Sequence, residues 1–280
     1  MYGKINCMEQ SPGVCEVLQP SAPKERMTAL ENKCAIKMEN ITKRFGKVVA
    51  NNAINMELRE GEILSLLGEN GSGKTTLMNM LSGIYFPDEG QIYIHDKPVT
   101  IASPKDAFAL GIGMIHQHFK LVDLFTATEN IILGLEGKLD LANARKKVQD
   151  ICDKYGFDID PDMKIYDMSV SQKQTVEIVK VLYRGADILI LDEPTAVLTP
   201  QETDKLFTVM RNMKADGKSL IIITHKLHEV LDVSDRVAVL RKGEYIGDVL
   251  TKDADQQSLT DMMVGRSVSL NINRPEPKNV

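Results

Sequence analysis

A glycine-rich loop that ends in a lysine and a threonine is the first part of the sequence able to do chemistry. Residues 68–75 fit the pattern G-x-x-x-x-G-K-[ST], after an apolar strand-like segment and before a helical one. Glycines let the backbone curl so that N–H groups face phosphate oxygens, and the helix N-terminus adds a favourable dipole. A glycine turn that only caps a helix is the alternative. The candidate phosphate-binding residues are Gly68, Asn70, Gly71, Ser72, Gly73, Lys74, Thr75 and Thr76.

Two adjacent acids form a second reactive group. Asp192 and Glu193 end the apolar segment 188–191, and a buried parallel strand delivers such residues at its carboxyl edge, where α/β sheets bind ligands. Asp192 and Thr75 can then hold Mg²⁺, while Glu193 can act as general base on the water that attacks a terminal phosphate. An acidic pair at a solvated strand end or a helix cap is the alternative.

The segments around these groups predict an α/β fold. Two buried-type strands, 187–191 and 219–224, flank an amphipathic stretch at 202–213, which is the pattern of a β-α-β crossover in a parallel sheet. Helical spacing dominates between Thr126 and Arg184, so we expect a helical insert there. The strand-like segments before the phosphate-binding loop are 35–41, 55–58 and 62–67.

Composition argues against several other classes of protein. The 280 residues include 34 Lys and Arg against 39 Asp and Glu, a net charge of −5, which disfavours nucleic-acid binding through bulk charge. The apolar runs are far shorter than the ~18 residues that span a bilayer, and the start of the chain shows no apolar segment typical of export. The four cysteines have no metal-ligand spacing. Residues 1–33 predict an irregular leader and 266–280 a tail or linker.

Five motifs follow one another in an order that few phosphate-loop proteins share. No N/TKxD segment for reading guanine is present, and a second phosphate-type element at 169–172 starts a helix. The loop at 68–75, Gln117, the element at 169–172, the acids at 192–193 and His225 together resemble the ATP-binding cassette of ABC proteins. The resemblance covers most of the chain.

This resemblance implies a fold and two cofactors. The expected fold is a P-loop NTPase core of class α/β with a RecA-like parallel sheet, an N-terminal antiparallel β subdomain and a helical subdomain. The nucleotide-binding domain would cover 34–265, and its helical subdomain about 119–184. The expected cofactors are ATP and Mg²⁺, with ATP hydrolysis as the activity.

The resemblance also implies roles for single residues. Phe45 would stack on adenine, Gln117 would contact Mg²⁺ and the attacking water, and His225 would hydrogen-bond the γ-phosphate. The alternative for Phe45 is a core residue at a strand end, and without the resemblance His225 would be an ordinary surface or core histidine. The implied catalytic residues are Glu193, His225 and Gln117, and the implied metal ligands are Thr75, Gln117 and Asp192.

Ser169, Ser171 and Gln172 match the family's signature motif, which contacts the nucleotide bound to a second cassette. That motif usually reads Leu-Ser-Gly-Gly-Gln, or Leu-Ser-Val-Gly-Gln among importers, whereas Ser171 replaces the second glycine here. The glycine lets a backbone N–H approach the γ-phosphate, and a side chain crowds that approach. We therefore expect slow hydrolysis at the site that this signature closes.

Residues 183–202 resemble more narrowly the ATPases of simple-sugar and nucleoside importers, which normally carry two cassettes in one chain. The sequence then represents a half-size subunit, a fragment or a shortened gene product. The implied partners are transmembrane permease subunits, a solute-binding protein and a second cassette, in a homodimer or from a partner half, at the cytoplasmic face of the cell membrane. No nucleic acid is expected. The alternatives are a non-transport ABC protein acting on ribosomes or DNA, and a regulatory subunit that binds ATP without hydrolysing it.

Overall fold

Two β-sheets and eight helices form the described part of the computed structural model, residues 33–137 and 140–265. The predicted tail and, apart from Lys33, the predicted leader lie outside these residues. The strands are β1 (Cys34–Phe45), β2 (Val48–Arg59), β3 (Ile63–Leu67), β4 (Glu89–Ile94), β5 (Lys97–Val99), β6 (Ile112–Ile115), β7 (Ile188–Asp192), β8 (Ser219–Thr224), β9 (Arg236–Arg241) and β10 (Glu244–Leu250). The helices are α1 (Lys74–Leu81), α2 (Pro104–Ala109), α3 (Ala127–Ile132), α4 (Leu141–Tyr155), α5 (Val170–Tyr183), α6 (Pro200–Ala215), α7 (Leu227–Val233) and α8 (Gln256–Val264).

The larger sheet has the strand order β10-β9-β3-β8-β7-β6. Its strands run parallel except for β10, which pairs antiparallel with β9. Every residue of β3, β7 and β8 is buried, as expected for apolar runs in a parallel sheet covered on both faces. The carboxyl ends of β3, β6, β7 and β8 therefore meet at one edge, and the loops that follow them carry the predicted chemistry.

The smaller sheet is antiparallel, in the order β2-β1-β4-β5. Its apolar face and the apolar side chains of α1, such as Leu77 and Leu81, share one core cluster with the larger sheet. Arg236 of β9 ties the two sheets together, because it binds the carboxylate of Glu62 and donates to the Glu57 carbonyl of β2 at 2.7 Å. The paired sheets thus hold the loop between β3 and α1 against β2.

Helices α3, α4 and α5 have an apolar cluster of their own, which includes Ile131, Val148 and Val176. Side-chain caps fix where these helices begin. Thr126 and Ser169 each form a capping box, in which the cap hydroxyl accepts from a backbone N–H three residues later and the side chain there binds back. The expected helical insert is therefore present between β6 and β7.

Candidate nucleotide-binding site

The loop between β3 and α1 needs its glycines for steric reasons. A Cβ on Gly68 would collide with the Leu240 carbonyl and with the Ser72 hydroxyl. Gly73 has φ +98°, and a Cβ there would collide with the Ala50 carbonyl of β2. Larger residues would push the loop away from β2 and β9, so the packing enforces its curled path.

Lys74 begins α1 and points back over the loop. Its ammonium donates to the carbonyl oxygens of Gly68 at 2.6 Å and Glu69 at 2.9 Å. Burial lowers the pKa of Lys74, and the negative charges of Glu193 and Asp192 partly oppose that effect. A buried cation at a helix N-terminus makes this concavity electropositive, which suits a polyphosphate.

Two buried polar atoms lie in or beside the loop, and one of them, the Ser72 hydroxyl, is able to donate to a phosphate. Within the described residues, neither the Ser72 hydroxyl nor Oδ1 of Asn51 has a hydrogen-bond partner. The other amide atom of Asn51, Nδ2, donates to the Gly73 carbonyl at 3.3 Å. A hydroxyl buried in the loop without a partner can donate to a phosphate oxygen, so the loop fits that ligand. Sequence reasoning missed Asn51, because a polar residue within a strand gives no signal of its own.

Asp192 ends β7 beside the start of α1 and is only 8 % exposed. Burial raises its pKa, as does the neighbouring charge of Glu193, while a hydrogen bond from the Thr75 hydroxyl and the charge of Lys74 act in the opposite direction. Carboxylate and hydroxyl oxygens are the donors that Mg²⁺ prefers, so Asp192 and Thr75 fit this ion. Across residues 33–137 and 140–265, no group of three or more His, Cys, Asp or Glu side chains is arranged to hold a metal.

The carboxylate of Glu193 joins the three predicted catalytic side chains. Its Oε1 lies 3.0 Å from Nδ1 of His225, which follows β8, and its Oε2 accepts from Nε2 of Gln117, which follows β6, at 3.4 Å. The backbone of Glu193 has φ +47°, a left-handed conformation rarely adopted by side chains of this kind. Three loops of the parallel sheet therefore bring an amide and an imidazole into contact with the same carboxylate.

An aromatic pair lies at the end of β1. Phe45 is 43 % exposed, so it is not a core residue, and it meets Tyr85 edge to face with ring centroids 5.2 Å apart. The ammonium of Lys43 lies 5.6 Å from the centre of the Phe45 ring. Sequence reasoning missed Tyr85; its position between Ile84 and Phe86 in an exposed apolar segment after α1 is the signal that could have drawn attention to it.

The signature residues lie at the start of α5. Ser169 and Gln172 cap the helix through bonds to each other's backbone N–H groups, and the hydroxyls of Ser169 and Ser171 are 3.1 Å apart. The Ser171 hydroxyl also interacts with the carboxylate of Glu202, in the first turn of α6, and lowers the pKa of that carboxyl. In the described part of the chain, these side chains bind each other and Glu202 and not the loop at 68–75.

Comparison with known proteins identifies the family. A family profile described as "ABC transporter" matches residues 50–196. The nucleoside import ATP-binding protein NupA of Lactococcus lactis subsp. cremoris (strain MG1363) is 52% identical over 257 residues, covering 90% of this chain and 51% of NupA. The ribose import ATP-binding protein RbsA 1 of Burkholderia thailandensis is 45% identical over 236 residues, covering 82% of this chain and 47% of RbsA 1. This chain spans about half the length of these curated relatives.

Solved structures agree on the architecture. The crystal structure of the ADP conformation of MJ1267, an ATP-binding cassette of an ABC transporter, has a TM-score of 0.72 and 26% identity, covering 83% of this chain and 99% of MJ1267. No helix among the described residues has the length and apolar character needed to cross a bilayer. The predicted α/β P-loop fold is thus confirmed, and the chain belongs to the ABC transporter family, with the fold of its ATP-binding cassettes.

Proposed function

We propose that this chain is the ATP-binding subunit of an importer, which binds and hydrolyses ATP to drive solute uptake through partner membrane subunits. The observation that carries the proposal is the position of the Glu193 carboxylate, in contact with Gln117 and His225 and at the sheet edge that also holds Asp192 and Lys74. A general base beside a phosphate-binding loop is the arrangement that suits hydrolysis of the phosphoanhydride bond of ATP.

Binding of ATP in this proposal uses both ends of the nucleotide. The aromatic face of Phe45, supported at its edge by Tyr85, stacks on the adenine, while the N–H groups of residues 71–75 and the Lys74 ammonium bind the phosphates. Thr75, Asp192 and Gln117 would hold Mg²⁺, which neutralises charge on the phosphates when bound. Asn70 and Thr76 complete the predicted phosphate-binding set.

Hydrolysis then depends on three side chains of this chain. Glu193 accepts a proton from the attacking water, and Gln117 fixes the direction of its carboxylate through the amide contact. His225 contacts the same carboxylate and lies at the end of β8, from which its imidazole can reach the γ-phosphate. Orientation and charge stabilisation account for most of the catalysis in this type of reaction.

A second cassette completes the site in this proposal. Ser169, Ser171 and Gln172 are exposed or half-exposed and bind mainly each other, which supports a role toward a nucleotide on another cassette. That cassette is a second copy of this chain or a partner half, and NupA is about twice as long as the segment that matches. We assign the nucleotide-binding domain to residues 34–265 and the contact with the membrane partner to the helical subdomain at about 119–184.

The proposed cargo is a nucleoside, with a simple sugar as the second choice. The identity to NupA, named for nucleoside import, is higher than that to RbsA 1, named for ribose import. Permease subunits and a solute-binding protein would select the solute, and they would hold this chain at the cytoplasmic face of the membrane. We propose no nucleic-acid partner.

The test is Mg-ATP hydrolysis by the purified chain, measured as specific activity against protein concentration with Glu193→Gln as the blank. Specific activity that rises with concentration and disappears in the variant supports hydrolysis by paired cassettes. Activity that the variant retains in full would contradict the role of Glu193 as the base.

A subunit that binds ATP without hydrolysing it is the second candidate. The observation that favours it is Ser171, whose hydroxyl fills the place of a signature glycine and binds Ser169 and Glu202. ATP binding without turnover, even when a hydrolytically active partner cassette is added, would support this candidate over the first.

A further inference from the structure

The short segment that follows Glu193 is held from two sides. On one side, Gln174 of α5 donates from Nε2 to the carbonyl oxygen of Pro194 at 2.7 Å. Gln174 is a buried amide in a helix that otherwise turns apolar side chains inward. Since a buried amide needs a partner, this bond fixes the distance between α5 and the segment after the proposed base.

On the other side, a polar network with two buried members, Thr195 itself and Glu229, and the half-buried Lys226 holds Thr195. The ammonium of Lys226 donates to the Thr195 carbonyl and to Oε1 of Glu229, each at 2.9 Å, and the Thr195 hydroxyl donates to the second carboxylate oxygen of Glu229. Thr195 is 2 % and Glu229 5 % exposed. Charge-assisted bonds in such a site are strong and directional.

The backbone of Glu193 has a conformation that needs support from the residues around it. Glu193 has φ +47°, and residues in such sparsely populated conformations persist only where the surrounding structure fixes them. The N–H of Glu193 donates to the Ile223 carbonyl of β8 at 2.9 Å, which holds one side of the residue. Pro194 and Thr195, bound as described above, hold the other side.

We propose that Gln174, Thr195, Lys226 and Glu229, here called the clamp, are positioning residues that keep Glu193 in its left-handed conformation with its carboxylate between Gln117 and His225. This inference rests on the proposed ATPase function. Lys226 directly follows His225, and Gln174 lies on the helix that begins with the signature, so the clamp links three parts of the candidate site. The hydrogen bonds of its members in the described structure go to one another and to Pro194 and not to the loop at 68–75, so we expect their effect on the base and not on phosphate binding.

Thr195→Val is the most direct test, because it removes one hydroxyl and keeps the shape of the side chain. Thr195→Ser restores the hydroxyl, and Thr208→Val makes the same chemical change at an exposed threonine whose hydroxyl donates to the Asp204 carbonyl of its own helix. The full chain is used throughout. One readout is amide hydrogen exchange over residues 193–198, and the other is the kcat and KM for Mg-ATP, with ATP affinity measured separately.

We expect Thr195→Val to speed amide exchange at 193–198 and to lower kcat at least about tenfold, with KM and ATP affinity changed less than about twofold. Thr195→Ser should recover most of the rate, and Thr208→Val should behave as the wild type. Gln174→Met attacks the clamp from α5 and should also lower kcat while KM stays the same. A merely structural role would lower stability without this split between kcat and KM, and without rescue by serine.

Wild-type exchange and turnover in Thr195→Val would overturn the proposal. If Thr195→Val does not fold, Gln174→Met decides in the same way, with wild-type exchange and kcat as the contrary result. Failure of the proposed function has a different outcome: the wild type itself then shows no ATP binding or turnover. The exchange data still decide whether the clamp holds Glu193 in that case.

Discussion

The carboxyl edge of the parallel sheet and the exposed start of α5 carry different parts of the predicted chemistry, and they are built in opposite ways. At the sheet edge, Asp192 is buried beside Thr75, and Glu193 contacts both Gln117 and His225. At the start of α5, Ser169 and Ser171 bind each other near the surface. The side chains at the sheet edge are held by residues from several distant segments of this chain. The hydroxyls at the start of α5 hydrogen-bond each other within one helical turn.

This difference shows what each region can do alone. Groups fixed by contacts from several strands keep their geometry without a ligand, which is the preorganisation that catalysis requires. A helix start whose hydroxyls bind each other can exchange those bonds for phosphate contacts once a partner brings a nucleotide close. In the proposed function, nucleotide binding and the base therefore belong to this chain, while the signature acts on a nucleotide held by another cassette.

The largest expected effect is at the sheet edge. Glu193→Gln keeps the shape of the side chain but removes the base, so we expect turnover to fall by about 10²–10⁴-fold with ATP affinity retained. The check is hydrolysis and equilibrium ATP binding on the same preparation. Glu202→Gln, an acid-to-amide change beside the signature, is the matched control and should reduce turnover far less. Equal losses in both variants would contradict the contrast between the two regions.

A smaller effect is expected at the aromatic pair, which tests whether the chain binds nucleotide by itself. Phe45→Ala should weaken ATP binding about tenfold through lost stacking, and Tyr85→Ala about threefold because it frees the Phe45 ring. Tyr166→Ala removes an exposed tyrosine shortly before α5 and serves as the control. Titration at protein concentrations too low for pairing separates binding by one chain from binding by two.

Either of two results would contradict the prediction for the aromatic pair. ATP affinity that appears only at concentrations where two chains associate would mean that the sheet edge is not sufficient. A Tyr85→Ala variant with wild-type affinity would mean that Phe45 stacks without its neighbour.

Much of the sheet edge could be predicted from sequence, since apolar runs that end in polar residues mark buried strands and their carboxyl ends. The segments 187–191 and 219–224 match β7 and β8 to within a residue. The antiparallel strands were harder to bound: the segments 35–41 and 55–58 lie within longer strands, β1 and β2. Irregular pairing between them at Met38 and Ile41 interrupts the alternation that a strand pattern depends on.

Contacts between distant residues escaped prediction for a different reason. Three contacts join segments that are far apart in the chain: the Gln174 bond to Pro194, the Tyr85 contact with Phe45 and the Asn51 bond to the Gly73 carbonyl. No periodicity marks such pairs, because each side chain alone is compatible with a surface position. The family resemblance supplied the roles of Gln117 and His225, which spacing alone did not.

At the signature, a moderate effect is expected in the direction of gain. Ser171→Gly removes the hydroxyl that binds Ser169 and Glu202 and opens the backbone N–H to an approaching phosphate. We expect turnover of paired cassettes to rise several-fold, with ATP affinity of the single chain unchanged. Ser258→Gly, at the start of α8, is a control for glycine near a helix N-terminus. An unchanged rate of hydrolysis in the assembled transporter would exclude Ser171 as a cause of slow turnover.

The smallest expected effect concerns stability and not rate. Burial raises the pKa of Asp192, so keeping this carboxyl ionised opposes folding at every pH above its folded-state value. Asp192→Asn should therefore raise the Tm of the ligand-free chain by about 2–4 °C. The gain should shrink as the pH falls through the folded-state pKa, where the wild-type carboxyl is protonated as well. Asp204→Asn, at an exposed position of α6, is the control and should leave Tm nearly unchanged. A lower Tm in Asp192→Asn would contradict the prediction. It would show that the contacts of Asp192 with Thr75 and Lys74 stabilise the fold by more than the burial of its charge destabilises it.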